Sequence, residues 1–224
     1  ELGVVLMETG GRIYRAGCYN KKFTLQSVSK PIALIQAIMD VGEEEVFSRV
    51  GMEPTGDPFN SMVRLETFTL GKPLNPMINA GAITVSSLIR GEDNEEKISR
   101  LLTLVRKMSR NDHISFNEDV YLSEKETGHR NRSMAYFLKD SGIIEGDIED
   151  ILEVYFKQCS IEIDCEDLAR MGCLIANNGL DPESNEQIIP PRIARIAKTL
   201  MVTCGMYDES GEFAVNVGIP AKSG

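Results

Sequence analysis

The chain has no tryptophan, and aromatic residues make up only 6% of its 224 positions. Histidine is nearly missing as well, with His113 and His129 alone. A Ser-His-Asp triad therefore has little to draw on, and no histidine pair has metal-ligand spacing. No apolar run approaches the roughly 18 residues that span a bilayer. A Gly-rich phosphate loop is lacking. Basic residues are in deficit, 24 Lys and Arg against 34 Asp and Glu, leaving a net charge of −10. They are scattered among acidic residues, so neither nucleic acid nor a membrane is an expected partner. Cys18, Cys159, Cys165, Cys173 and Cys204 are odd in number and spaced neither as a zinc knuckle nor as a redox pair. They read as reduced, buried thiols in a cytoplasmic protein. No metal or cofactor is expected.

What is present is ordinary for a globular protein: 42% hydrophobic and 26% charged residues. Gly10-Gly11 between two short β-prone runs, 4–7 and 12–15, predicts a hairpin. Residues 23–25 are extended. The spacing of Ile32, Leu34, Ile35, Ile38 and Met39 predicts a helix over 27–41, with Pro31 tolerated in its first turn. Helices follow at 43–50, 81–90, 95–110, 131–139, 148–156, 165–177 and 190–201. The Pro-, Gly- and Asn-rich stretch 51–79 reads as a long functional loop, and 123–131 as a charged loop. Residues 213–219 are expected to form a strand after a turn at 208–211.

Strands, then helices, then strands imply a sheet built from both chain ends with a helical lobe inserted between them. The lobes are 1–42 and 180–224 with sheet, and 43–179 mainly helical, all in one domain. Such a small sheet with an open edge is a poor domain by itself. Further sequence at both ends is therefore expected.

Three stretches carry chemistry. In Gln26-Ser27-Val28-Ser29-Lys30, residues three apart on a helix share a face, so Lys30 can reach toward Ser27. A serine hydroxyl needs a base, and lysine serves if burial and the helix N-terminus depress its pKa. Taken alone, the commoner explanation is Ser27 as a helix cap with Lys30 in solvent. The second stretch is Pro220-Ala221-Lys222-Ser223-Gly224, beside the expected last strand. The third is a pair of loops offering Asn79, and Glu124 with Asn131, which suit the carboxylate and ammonium of an amino acid. Helix capping by Asn79 and Asn131 explains them as well. Tyr155 and Tyr207 are either hydrogen-bond donors in a site or structural tyrosines.

Together these residues resemble the serine-dependent glutaminase family, whose fold is that of the β-lactamases and penicillin-binding proteins. The matching blocks are 23–31, 75–83 and 123–131, then Tyr155-Phe156 with Cys159-Ser160-Ile161-Glu162, and Cys204-Gly205-Met206-Tyr207-Asp208 through 220–224. The bacterial branch, with Ser-x-Ser-Lys, is most similar. The resemblance implies an α/β (α+β) β-lactamase-like catalytic domain that converts L-glutamine and water to L-glutamate and ammonia. It makes Ser27 the acylated nucleophile, Lys30 its base and Tyr207 a proton relay. Gln26, Asn79, Glu124, Asn131 and Tyr155 would hold substrate, and Lys222-Ser223-Gly224 would lie beside the nucleophile. It places a substrate-contacting tyrosine before Glu1 and an oxyanion donor after Gly224, and it implies a homodimer or homotetramer. The alternatives are a β-lactamase or transpeptidase on the same scaffold, or a non-catalytic glutamine-binding protein.

Overall fold

The computed structural model describes residues 2–56 and 71–224. It opens on the antiparallel hairpin β1 (Gly3–Met7) and β2 (Ile13–Gly17), with Val5 opposite Arg15. β3 (Phe23–Thr24) leads into a turn of 3₁₀ helix at Gln26–Ser29 and then α1 (Lys30–Val41). α2 (Glu43–Arg49) follows; the middle of the long loop expected over 51–79 lies outside the described residues. Then come α3 (Asn79–Ser87), α4 (Asn94–Ser109), β4 (Ser115–Phe116), α5 (Glu118–Thr127), α6 (His129–Asp140) and α7 (Ile148–Cys159). β5 (Ile161–Ile163), α8 (Cys165–Ala176), α9 (Pro191–Cys204) and α10 (Ser210–Asn216) complete the order.

The architecture is mixed α/β with two small antiparallel sheets. β5 lies between β3 and β4, pairing Phe23 with Ile163 and Phe116 with Ile161. The hairpin packs on α8. α1 is the central helix: every residue from Lys30 to Ile38 is buried. A helix that is apolar around its circumference must be enclosed on all sides, and α1 is packed by α2, α3, α4 and α9. Its core is one apolar cluster; a second, from Ala80, Ile83, Met134, Leu152 and Phe156, lies among α3, α6 and α7. α3 stands between the two, so its first residue sits at their junction. Among the described residues no helix is long and apolar enough to cross a membrane.

Helix ends follow local chemistry. Asp93, Asn117, Asp147 and Asp164 each cap a following helix through the side-chain oxygen, and Arg110 ends α4 in the left-handed region. Two expectations need correction. Residues 123–131 are no loop: α5 runs through Thr127 and α6 starts at His129. Tyr121 is the only buried residue of α5, so its apolar stripe is too thin to register as a helical period. The strand expected at 213–219 is α10, and within 180–224 the described residues show only an isolated bridge, Leu180 to Gln187. β-propensity expresses fit to a pleated surface with a neighbour. Here Val215, Val217 and Ile219 are exposed, among the described residues no strand lies alongside, and the backbone bonds itself helically, Val217 N–H to the Phe213 carbonyl at 2.8 Å.

Entry into α3 is set by Asn75, fully buried, whose Oδ1 accepts from Met77 N–H (2.9 Å) and Ile78 N–H (3.2 Å) while its Nδ2 donates to the Glu53 carbonyl (2.8 Å). Gly81 makes that turn possible: a Cβ there would lie 1.9 Å from the Asn75 carbonyl oxygen. Gly81→Ala is expected to lower the unfolding free energy by about 3 kcal/mol, because backbone rather than a flexible side chain must give way. Urea denaturation measures it; a loss within experimental error would show that the turn yields freely.

Candidate active site

Ser27 stands in the 3₁₀ turn after β3. Gln26 before it has φ +49°, the left-handed region, which turns the chain sharply from strand into helix. Ser29 pins that turn, donating Oγ–H to the Gln26 carbonyl at 2.7 Å. Gln26 itself holds Thr24 through Nε2 to Oγ1 at 3.4 Å. Neither Ser27 nor Asn79 serves as a helix cap; both have other partners.

Lys30 opens α1, next to Pro31, and is only 1% exposed. Burial brings its amine down to about 8, against a smaller opposing pull from Cys159. An ammonium costs far more than an amine to hold without water. The amine donates to Asn79 Oδ1 at 2.6 Å, and Asn79 Nδ2 donates to Asn131 Oδ1 at 3.1 Å. Asn79 is the first residue of α3 and Asn131 lies in the first turn of α6, so the Lys30 amine is tied to one helix start directly and to the other through Asn79.

The far end of the chain supplies the other half. After α9, Tyr207 takes φ +57°, and its side chain is hydrogen-bonded to those of Ser27 and Ser223. Lys222 Nζ donates to the Tyr207 phenol oxygen at 2.7 Å and to the Ser223 carbonyl. The Tyr207 ring lies between two lysine amines, Lys222 Nζ at 4.2 Å and Lys30 Nζ at 5.5 Å from its centroid. Burial first, then the charge of Lys30, takes the Lys222 amine down to about 6. Burial raises the Tyr207 phenol, and the two serine contacts oppose that. Although 220–224 is not a strand, Gly224 still abuts the nucleophile turn, its Cβ position 2.8 Å from Val28 Cγ2. Ser223 N–H donates to the Gly205 carbonyl at 3.3 Å.

α7 forms the remaining wall. Tyr155 is buried, and its phenol is pushed well above the ordinary value by burial and then by Cys159, Glu124 and Tyr207. Glu124, on α5, is raised by burial. Glu124 is kept close to α7 because α5 and α6 meet at Gly128, where a Cβ would lie 2.5 Å from the Phe156 ring. The seven other residues singled out in the sequence thus gather near Ser27: Gln26 is its chain neighbour, Tyr207 is bonded to it, and Lys30 lies one turn on and near the Tyr207 ring. Asn79 is bonded to Lys30 and Asn131 to Asn79, and Tyr155 interacts with Glu124 and Tyr207. What single-residue inspection missed was the partnership of Lys222 and Ser223 with Tyr207; its sequence trace is Lys-Ser-Gly near the C-terminal end. Among the described residues no group of acidic, Cys and His side chains could hold a metal.

This arrangement sets an amine of lowered pKa one turn from a serine hydroxyl that is also bonded to a tyrosine, a set able to deprotonate that hydroxyl. Comparison with known proteins agrees with that chemistry. The family model "Glutaminase" matches residues 1–224. Glutaminase 2 of Clostridium perfringens is 58% identical over 224 residues, which is all of this chain and 73% of that protein. A Bacillus glutaminase crystallised in 4.3 M NaCl superposes with a TM-score of 0.96 at 47% identity, covering 99% of this chain and 74% of that one. A Bacillus subtilis glutaminase solved as its covalent complex with 5-oxo-L-norleucine superposes with a TM-score of 0.88 at 42% identity, over 99% and 70% of the two chains. The β-lactamase-like fold and the match over the whole chain agree: this chain belongs to the glutaminase family.

Proposed function

We propose that the protein hydrolyses the side-chain amide of L-glutamine to L-glutamate and ammonia through a glutamyl ester on Ser27. The observation that carries the assignment is the Lys30 amine: buried one turn beyond Ser27, brought to about 8, and tied to Asn79 and through it to Asn131. A binding protein has no use for a lysine stripped of water beside a serine. The covalent complex of the Bacillus subtilis relative with 5-oxo-L-norleucine, formed by its reaction with 6-diazo-5-oxo-L-norleucine, supports a nucleophile in such a protein.

The chemistry runs in two displacements. Ser27 Oγ attacks the amide carbon as Lys30, neutral, takes its proton. The tetrahedral adduct then expels ammonia as the proton taken up by Lys30 passes to the leaving nitrogen through Tyr207, whose phenol is bonded to both Ser27 and Lys222, and Lys30 is neutral again. Water, deprotonated by the same base, attacks the ester and releases glutamate. Glu124, raised by burial, gains from the substrate ammonium. Asn79 and Asn131, with the N-terminal ends of α3 and α6, suit the α-carboxylate. Gln26 and Tyr155 border the side chain. A zwitterion so anchored sets the reach of the amide, which selects glutamine over the shorter asparagine.

We assign residues 1–224 to one catalytic domain, since the sheet β3–β5–β4 ties its beginning to its middle and Tyr207 ties its end to Ser27. The five free thiols suit a reducing compartment, and the cytoplasm is the assigned location. A homodimer or homotetramer accompanies the family assignment, and light scattering measures it.

Ser27→Ala is expected to abolish ammonia release from glutamine while leaving the circular dichroism spectrum intact; turnover persisting in that variant rules out the nucleophile. Lys30→Ala should cost about 10²–10⁴-fold in kcat/KM, the usual worth of a general base. The sign of the pH dependence follows from the base being the neutral amine: kcat/KM should rise with pH through about 8, as Lys30 loses its proton, and be flat above. A rate that falls over that range would exclude Lys30 as base. Asparagine should be hydrolysed at least about 100-fold more slowly than glutamine, since a reach short by roughly 1 Å costs that much; equal rates would dismiss the anchoring residues.

A further inference from the structure

The second serine of Ser-x-Ser-Lys has no part in the chemistry above, yet it is 2% exposed and placed under the nucleophile turn. Its Oγ makes two contacts, the Gln26 carbonyl at 2.7 Å and Cys159 Sγ at 4.0 Å. Cys159 ends α7, is 4% exposed, and is also hydrogen-bonded to the Tyr155 side chain one turn earlier on the same helix. Ser29 Oγ points its hydroxyl between two acceptors, with the Gln26 carbonyl nearer and Cys159 Sγ farther. Cys159 Sγ accepts from the Tyr155 phenol as well, and burial keeps its own thiol protonated. The result is a continuous link: Tyr155 O–H to Cys159 Sγ, Ser29 Oγ to the same sulfur, and Ser29 O–H to the Gln26 carbonyl.

The link ends on a residue whose backbone is costly to hold. A non-glycine residue at positive φ stays there only when its surroundings over-determine it, and Gln26 is the hinge that aims Ser27. At its other end stands Tyr155, on the wall across the pocket. We propose that Ser29 and Cys159 are positioning residues that couple the pocket wall at Tyr155 to the Gln26–Ser27 turn, so that the nucleophile is aimed from α7 as well as from its own helix. The proposal rests on Ser27 as nucleophile for its kinetic consequence, and on the hydrogen bonds alone for its structural one.

Four variants of the full chain test it: Ser29→Ala, Cys159→Ala, the two combined, and Cys159→Ser. Ammonia release gives kcat and KM, and amide hydrogen exchange across residues 25–30 reports on the turn directly. Each alanine variant should lower kcat about tenfold with KM nearly unchanged, since a slightly misaimed nucleophile loses rate rather than binding. The double variant should lie within about twofold of the worse single one, because a chain is broken only once. Cys159→Ser, able to donate and accept in the same way, should restore most of kcat and the slow exchange. Losses that multiply in the double variant would overturn the proposal. So would a Cys159→Ser variant as poor as Cys159→Ala, or a lowered melting temperature with kcat and exchange untouched. If the unaltered protein releases no ammonia from glutamine, the assignment of function fails, while the exchange pattern still decides whether the turn is held by this chain.

Discussion

A lysine amine kept out of water at the first turn of the central helix is the constraint on which the rest of this structure depends. Burying an ammonium of this kind is costly without a compensating charge, and the partner of Lys30 is the neutral amide of Asn79. Its pKa falls to about 8, and the group becomes a base at ordinary pH. That state requires α1 to be enclosed along its whole first half, which the packing of α2, α3, α4 and α9 achieves. It also requires the helix to begin where it does, so that Ser27 precedes Lys30 by one turn. Stability and chemistry here are two aspects of one burial.

The Ser27 turn is held by groups far apart in the chain. Ser29 and Gln26 act locally, Cys159 and Tyr155 arrive on α7, and Tyr207 with Lys222 arrives after α9. Two backbone positions in the left-handed region, Gln26 and Tyr207, aim the two hydroxyls at each other. Strain at both ends of one hydrogen bond is tolerable because each residue is fixed by further contacts. Lys30 and Lys222 flank the Tyr207 ring, and the charge of one lowers the pKa of the other. The site therefore resists holding two ammonium groups at once, which suits a place where a proton must move.

Legibility in the sequence tracked local information. α1, α4, α7, α8 and α9 announce themselves through apolar periodicity or side-chain caps, and the hairpin through Gly10-Gly11. α5 did not, because a helix that buries one residue has almost no stripe to see. The two-residue strands β3 and β4 exist only by pairing with β5, a non-local event that no short window contains. The 213–219 segment erred the other way: its residues fit a strand, but backbone groups without a strand beside them bond within the segment.

The sequence by itself determined which residue types stand near the chemistry: a serine one turn before a lysine, asparagines at helix starts, tyrosines and a Lys-Ser-Gly tract, and the order that relates them to glutaminases. Only the tertiary structure decided what those groups are. Ser27 and Lys30 would make a capped helix with a solvated side chain if α1 lay on the surface; enclosure turns them into a hydroxyl beside a base. Asn79 and Asn131, possible caps by spacing, instead bond to each other, and Asn79 accepts from the Lys30 amine. The reason is physical: covalent spacing sets which groups can share a helix face, whereas pKa, proton direction and reach depend on how much water is excluded and by which distant neighbours.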